Sequence, residues 1–112
     1  METSKKYKEI FRLKKMLEDA NIPFDFFEMD PEARKIMPEF EHWHINYPNR
    51  GNFLVSAVEG FGTYGEQDDK LEIMGGLTEE EKEEGYEVIG WLTAEEVFER
   101  IKKLEEENEK SN

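Results

Sequence analysis

Apolar side chains recur along the chain with two periods, that of a helix and that of a strand. Over residues 4–21 they return every three or four positions, which predicts an amphipathic helix. Ser4 is placed to cap the start of this helix, and Asn21 followed by Pro23 marks its end.

The next apolar segment, IPFDFFEM at residues 22–29, predicts a strand. The adjacent Phe26 and Phe27 break strict alternation, so we expect either a bulge or burial on both faces of the sheet. Residues 30–40, bounded by Pro31 and Pro38, are predicted to form a loop with about one helical turn.

Residues 41–59 show the pattern of a β-hairpin. One set of alternating residues is apolar and the other polar, namely Trp43, Ile45 and Tyr47 against His42, His44 and Asn46. The turn-forming stretch PNRG separates this first strand from the second, NFLVSAVE.

The last third of the chain contains one internal echo. LEIMGGLTEEE at residues 71–81 matches YEVIGWLTAEE at residues 86–96, and both predict a strand followed by a helix start. Thr78 with Glu81, and Thr93 with Glu96, have the spacing of a capping box. The first helix should end within about a turn because nothing apolar follows it. The second should continue to Leu104, and residues 105–112, which lack apolar side chains, should fray.

The predicted order of elements is helix, strand, two-stranded hairpin, strand, strand, helix. Because the connections are short and contain no crossover helices, the sheet should be largely antiparallel. We therefore predict an α+β fold, with about five strands and with the N-terminal and C-terminal helices packed on one face. At 112 residues the chain is long enough for one core, so residues 1–112 should form a single domain.

Composition and charge narrow the functional classes. There is no cysteine, no apolar leader and no apolar run near 18 residues, so we expect a cytoplasmic protein without a membrane segment. The net charge of −13 is uneven, with −2 over residues 1–65 and −11 over residues 66–112. Such a surface repels phosphates, which argues against direct nucleic-acid binding and favours a basic partner.

The stretch GFGTYG at residues 60–65 fits the glycine pattern G-x-G-x-x-G of phosphate-binding loops. Glu66, Asp68 and Asp69 follow at once, where an anion would have to sit, and the residues that accompany a kinase loop are missing. We therefore interpret the stretch as a flexible glycine-aromatic connection and predict no bound cofactor.

Two further groups of residues invite a metal or ligand interpretation. His42 and His44 share one strand face, but a third ligand at zinc-site spacing is missing. The acidic group Glu66, Asp68, Asp69 and Glu72 lacks the order of a calcium-binding EF-hand loop. No serine lies in a nucleophile motif either, so we predict no catalytic residues, no metal ligands and no enzyme activity.

Three stretches carry a resemblance to a group of proteins. TYGEQDDKLEIMGGLTEEE and VIGWLTAEEVFERIKK, with FRLKKMLEDANIPF more loosely, resemble small acidic proteins encoded by phages and prophages of Gram-positive bacteria. The resemblance implies a genomic context and no activity.

Together these patterns predict a non-enzymatic protein-binding module, which acts as a homodimer or with a basic protein partner. One alternative is a nucleic-acid mimic that inhibits a DNA-binding protein, which requires the carboxylates of residues 66–109 to cluster on one surface. Another is a small-ligand or metal binder at the hairpin face of His42 and His44, next to the loop of Tyr64.

Overall fold

The fold is built on one antiparallel sheet. The computed structural model describes Ser4 and residues 6–111, and residues 1–3, 5 and 112 lie outside this range. Its strands pair in sequence order, and they are β1 Asp25–Glu28, β2 His42–Tyr47, β3 Val55–Gly60, β4 Leu71–Gly75 and β5 Val88–Leu92. The helices are α1 Glu9–Asp19, α2 Pro31–Ile36, α3 Glu79–Glu83 and α4 Ala94–Ser111, and a 3-10 turn spans Glu66–Asp68. The α+β prediction is confirmed.

The two long helices cover the same face of the sheet. Helix α1 contacts α4, β2 and β3, and α4 contacts β4. Between helices and sheet lies a core of fully buried apolar side chains, among them Tyr7, Ile10, Leu13, Leu17, Trp43, Ile45, Tyr47, Leu71, Ile73 and Ile101. The alternation predicted for β2 is confirmed, because Trp43, Ile45 and Tyr47 belong to the core, and the alternate residues His42, His44 and Asn46 project from the opposite face of the strand.

Helix α1 begins later than the sequence predicts. Ser4 Oγ accepts the amides of Lys6 and Tyr7, at 3.2 and 3.0 Å, in the turn before the helix. The helix itself starts at Glu9 and is capped by a distant residue, since Asp69 accepts the amides at its start. The expected Ser4 cap is therefore wrong, because a carboxylate from the β3–β4 connection takes its place.

Strand β1 is partly covered on both of its faces. The ring of Phe26 packs in the core, 5.3 Å from that of Phe11 and 5.4 Å from that of Trp43. On the other face, Phe27 stacks on His44 at 5.1 Å. The register with β2 is unbroken, so the expected bulge is absent from β1, and each of the adjacent phenylalanines is partly covered on its own face of the sheet.

Both predicted capping boxes form, and they start α3 and α4. Thr78 and Glu81 bond to each other's amides, and so do Thr93 and Glu96. Residues 105–111, which were expected to fray, continue α4 as helix to Ser111.

Polar contacts with Tyr47 hold the C-terminal part of α4, residues 105–111, although the segment has no apolar side chain. The Tyr47 hydroxyl donates to Glu105 Oε1 at 3.2 Å, and Asn108 Nδ2 donates to the same hydroxyl at 3.3 Å.

The predicted loop of residues 30–40 contains a short helix, α2, whose N-cap is Asp30.

Candidate functional site

The amides of the glycine loop, residues 60–65, are bonded to the protein's own oxygens. Gly62 N–H donates to Glu66 Oε1 at 3.1 Å, and Tyr64 N–H donates to Glu72 Oε1 at 2.9 Å. These are donors that a phosphate would need. Carboxylates of this chain therefore stand where the glycine pattern would place an anion.

Two acidic side chains near the loop hold the start of α1. Asp69 Oδ1 accepts the amides of Lys8 and Glu9 at 2.8 and 3.2 Å, and Glu59 Oε1 accepts that of Ile10 at 3.0 Å. Free amides at a helix start carry partial positive charge, so these carboxyl groups complete α1 from outside. Asp69, which the sequence placed at the anion position of the loop, therefore binds the amides at the start of α1 instead.

The pKa values of Glu59 and Asp69 shift in opposite directions. The Glu59 side chain is fully buried, and burial, then a hydrogen bond with Asp69, raises the pKa of Glu59 to about 9. Burial also opposes ionisation of Asp69, but hydrogen bonds from Glu59 and from the amides of Lys8 and Glu9 outweigh it and lower the pKa of Asp69. These shifts favour a neutral carboxyl group on Glu59 and an ionised carboxylate on Asp69 at neutral pH.

Glu66 joins the loop to the residues before α1. It accepts the Tyr7 hydroxyl at 2.5 Å and Lys6 Nζ at 3.2 Å. Although burial opposes it, the hydrogen bonds from Tyr7, the Gly62 amide and Lys6 lower the pKa of Glu66. The acids near the loop are thus largely engaged with α1 and with the loop's own amides.

The two histidines lie together on the sheet face that the long helices leave open. His42 Nδ1 and His44 Nε2 are 2.9 Å apart and share a hydrogen bond. Burial lowers the pKa of both, and His44, also opposed by His42 and Arg50, falls to about 4. Both rings are therefore mainly neutral at pH 7. The guanidinium of Arg50 lies over the ring of Phe27, 3.9 Å from its centre.

A cavity of about 280 Å³ contains both histidines, with Glu72, Met74 and the loop residues Gly62 and Thr63. Tyr64, which the sequence grouped with the histidines, does not line it. Among the described residues, no group of three or more His, Asp or Glu side chains has the geometry to hold a metal ion.

Tyr64 instead packs over strand β5. A Cβ atom at Gly90 would come within 2.3 Å of the Tyr64 Cβ, so only glycine allows this contact. The ring of Tyr64 stacks on that of Trp91, with centroids 5.8 Å apart and planes at 17°. Both side chains remain more than half exposed, at 54% and 57%.

These rings border a cleft of about 670 Å³ along β5. We name this cleft the β5 cleft and define it by Tyr64, Glu84, Tyr86, Glu87, Gly90 and Trp91. Tyr86 is also half exposed. No ion pair joins Glu84 or Glu87 to a basic side chain in the part of the chain that the structure describes. The cleft therefore combines exposed aromatic rings with uncompensated negative charge.

The sequence interpretation missed the β5 cleft, although the internal echo contained a signal. Gly76 and Trp91 are equivalent in the two copies, and both adopt the left-handed conformation, with φ of 66° and 57°. That conformation suits glycine and is costly for a tryptophan. The signal in the sequence was therefore Trp91, a large aromatic residue that takes the place of Gly76 and borders the β5 cleft.

Comparison with profiles of known protein families gives no match, and comparisons with curated proteins and with solved structures give none either. Within the described residues, none of the helices combines the length and the apolar character needed to cross a bilayer.

Proposed function

We propose that this protein is a non-enzymatic protein-binding module whose partner presents a basic segment to the β5 cleft. The observation that carries the proposal is the exposed Tyr64–Trp91 stack beside Glu84 and Glu87. Aromatic residues are enriched at protein interfaces, and exposed rings attract cations through their faces. The negative charge of residues 66–112 adds long-range attraction for a basic partner.

The placement of the titratable and nucleophilic groups supports a binding role over catalysis. The carboxyl group with the most raised pKa, Glu59, is fully buried and bonded to the start of α1. The Ser56 hydroxyl is also buried and donates to Asn46 Oδ1 at 2.7 Å. These groups are used by the fold and are not presented to a substrate.

Titration with labelled basic peptides tests the proposal. The peptides alternate lysine or arginine with valine, and their glutamate counterparts serve as the control. Anisotropy should show saturable binding of the basic peptides alone. Raising the salt concentration from about 0.1 M to about 1 M shortens the Debye length from about 10 Å to about 3 Å and should weaken binding strongly. If neither basic series binds even at low salt, the proposal is wrong.

Tryptophan fluorescence adds a local readout. Trp43 is 1% exposed in the core, whereas Trp91 is exposed in the β5 cleft. Acrylamide should therefore quench Trp91 preferentially, and bound peptide should protect it. Unchanged quenching at saturating peptide would place the contact elsewhere.

The alternatives stay open to direct tests. A nucleic-acid mimic needs a continuous acidic surface, and Glu66, Asp69 and Glu81 are held in internal contacts, so we favour the peptide-binding role. The cavity beside His42 and His44 supports a small-ligand site as a second candidate, which screening by amide NMR would test. Scattering measurements would test a homodimer, and the neighbouring genes would test a phage or mobile-element setting.

A further inference from the structure

Strand β5 forms one end of the sheet. The strand order runs from β1 to β5, and β5 pairs with β4 only. An edge strand presents alternate backbone N–H and C=O groups that lack a partner strand, and extended peptides can pair with such an edge. The β5 cleft lies along Val88, Ile89 and Gly90, so a segment bound there would have this backbone within reach.

Trp91 ends the regular part of this edge. The register between β4 and β5 shifts between the pairs of Leu71 and Ile73, and Trp91 has a φ of 57°. The regular register of β5 thus covers Val88 and Ile89, and beyond it the Trp91 N–H donates to the Tyr64 carbonyl oxygen at 3.4 Å. The Trp91 ring stands at the end of that stretch, where it meets Tyr64.

The charges around this edge select a cationic segment. Glu84 ends α3 and Glu87 precedes β5, and both are exposed within the cleft. Glu81, also in the cleft lining, is neutralised by Arg100 through contacts of 2.8 and 2.9 Å. The two unpaired carboxylates are therefore complementary to an incoming cation, and Trp91 offers a flat ring beside them.

We propose that the partner segment is an extended arginine-containing peptide that adds to the free edge of β5 as a further strand, with one guanidinium lying on the Trp91 ring. This inference rests on the proposed function and specifies its partner. Arginine fits better than lysine because its planar guanidinium stacks on aromatic faces and can also bond a carboxylate in its plane. Glu87 and Glu84 are the carboxylates of the cleft that have no ion pair with a basic side chain among the described residues.

Trp91→Asn removes the ring but keeps the backbone conformation, because asparagine tolerates the left-handed region. Its folding is checked by thermal melting, and it should remain folded. Its dissociation constant for the arginine-valine peptide should rise about thirty-fold, as for a tryptophan at an interface hot spot. Replacing the peptide's arginines with citrulline keeps their shape, removes the charge and should also weaken binding.

Charge and backbone contacts are tested separately. Glu87→Gln should weaken binding, whereas Glu106→Gln, an equal loss of charge on exposed α4 away from the cleft, should change it little. N-methylation of alternate peptide amides should abolish binding in one register and spare it in the other, because only one edge of an added strand faces β5.

The outcomes separate this inference from the proposed function. If the peptide binds in a salt-sensitive way but Trp91→Asn and both methylation registers leave the affinity unchanged, the strand-addition inference is overturned and the basic-partner function stands. If neither arginine-valine nor lysine-valine peptides bind, both are overturned. A lysine-valine peptide that binds as tightly as the arginine version would contradict the stacked guanidinium.

Discussion

Replacing Glu59 with glutamine should make the protein more stable, and increasingly so as the pH rises. Glu59 lies on the core face of β3, is fully buried, and accepts the Ile10 amide. Its pKa is raised to about 9 from an ordinary value of 4.5, chiefly by burial and then by Asp69, with a smaller contribution from the charge of Glu9. Folding at neutral pH therefore requires Glu59 to take up a proton.

The sign and size of the effect follow from linkage. Between pH 4.5 and pH 9 the folded state holds one more proton on this group than the unfolded state, so stability falls as the pH rises. The slope is about 1.4 kcal/mol per pH unit, which amounts to about 3 kcal/mol at pH 7. Glutamine stays neutral, keeps an oxygen for the Ile10 amide, and offers an N–H to Asp69.

Urea denaturation of Glu59→Gln and of the parent at several pH values measures this directly. The variant should gain up to about 3 kcal/mol at pH 7, and the gain should vanish near pH 4.5. Glu66→Gln is a matched control of opposite sign. The pKa of Glu66 is lowered, so its loss should destabilise the protein at pH 7 and matter less in acid.

A pH-independent difference between Glu59→Gln and the parent would refute the reasoning, because it would mean that Glu59 is ionised in the folded state. A loss of stability at every pH would show that glutamine cannot satisfy the same contacts.

Gly90→Ala should destabilise by about 1–3 kcal/mol in urea denaturation, because the new methyl group would meet the Tyr64 side chain and displace the glycine loop. Glu81→Gln should cost about 1–2 kcal/mol at pH 7 by losing its charged bonds to Arg100. These bonds, above all, lower the pKa of Glu81 to about 2, so this cost should fade as the pH falls from 4.5 towards 2. The His44 ring should titrate by NMR with a midpoint near 4.

A specific result would contradict each of the predictions for Gly90, Glu81 and His44. Gly51→Ala adds the same methyl group where the nearest atom is 3.9 Å away, so equal losses for Gly51→Ala and Gly90→Ala would dismiss the clash. A Glu81→Gln deficit that persists below pH 2 would rule out the ion pair as its origin. A His44 midpoint near 6.5 would mean that the open sheet face is better hydrated than the structure shows.

Local patterns predicted the elements because each depends on neighbours in sequence. Alternation in residues 42–47 reflects which side of a strand is buried, and the Thr–Glu spacings reflect bonds within one helical turn. These features need no knowledge of the rest of the chain.

Contacts between distant residues could not be predicted in the same way. The cap of α1 comes from Asp69, 61 residues away from Lys8, and no local motif announces such a partner. The contact of Tyr64 with Gly90 likewise depends on how the β3–β4 connection packs against β5, a strand distant in sequence. Trp91 is intermediate, since its equivalence to Gly76 was visible in the sequence but its meaning depends on the backbone conformation of both.

The polar ties between α1 and α4 have a consequence for synthesis of the chain. Glu9 Oε2 accepts the Ala94 amide at 2.6 Å, and Arg12 bonds to both Glu9 and Glu95. Each strand pairs with the next one along the chain, so the sheet can form as the chain leaves the ribosome. Helix α1 can make its contacts with the start of α4 only when residue 94 has emerged. Helix α1 should therefore complete its docking only after the strands that follow it have paired.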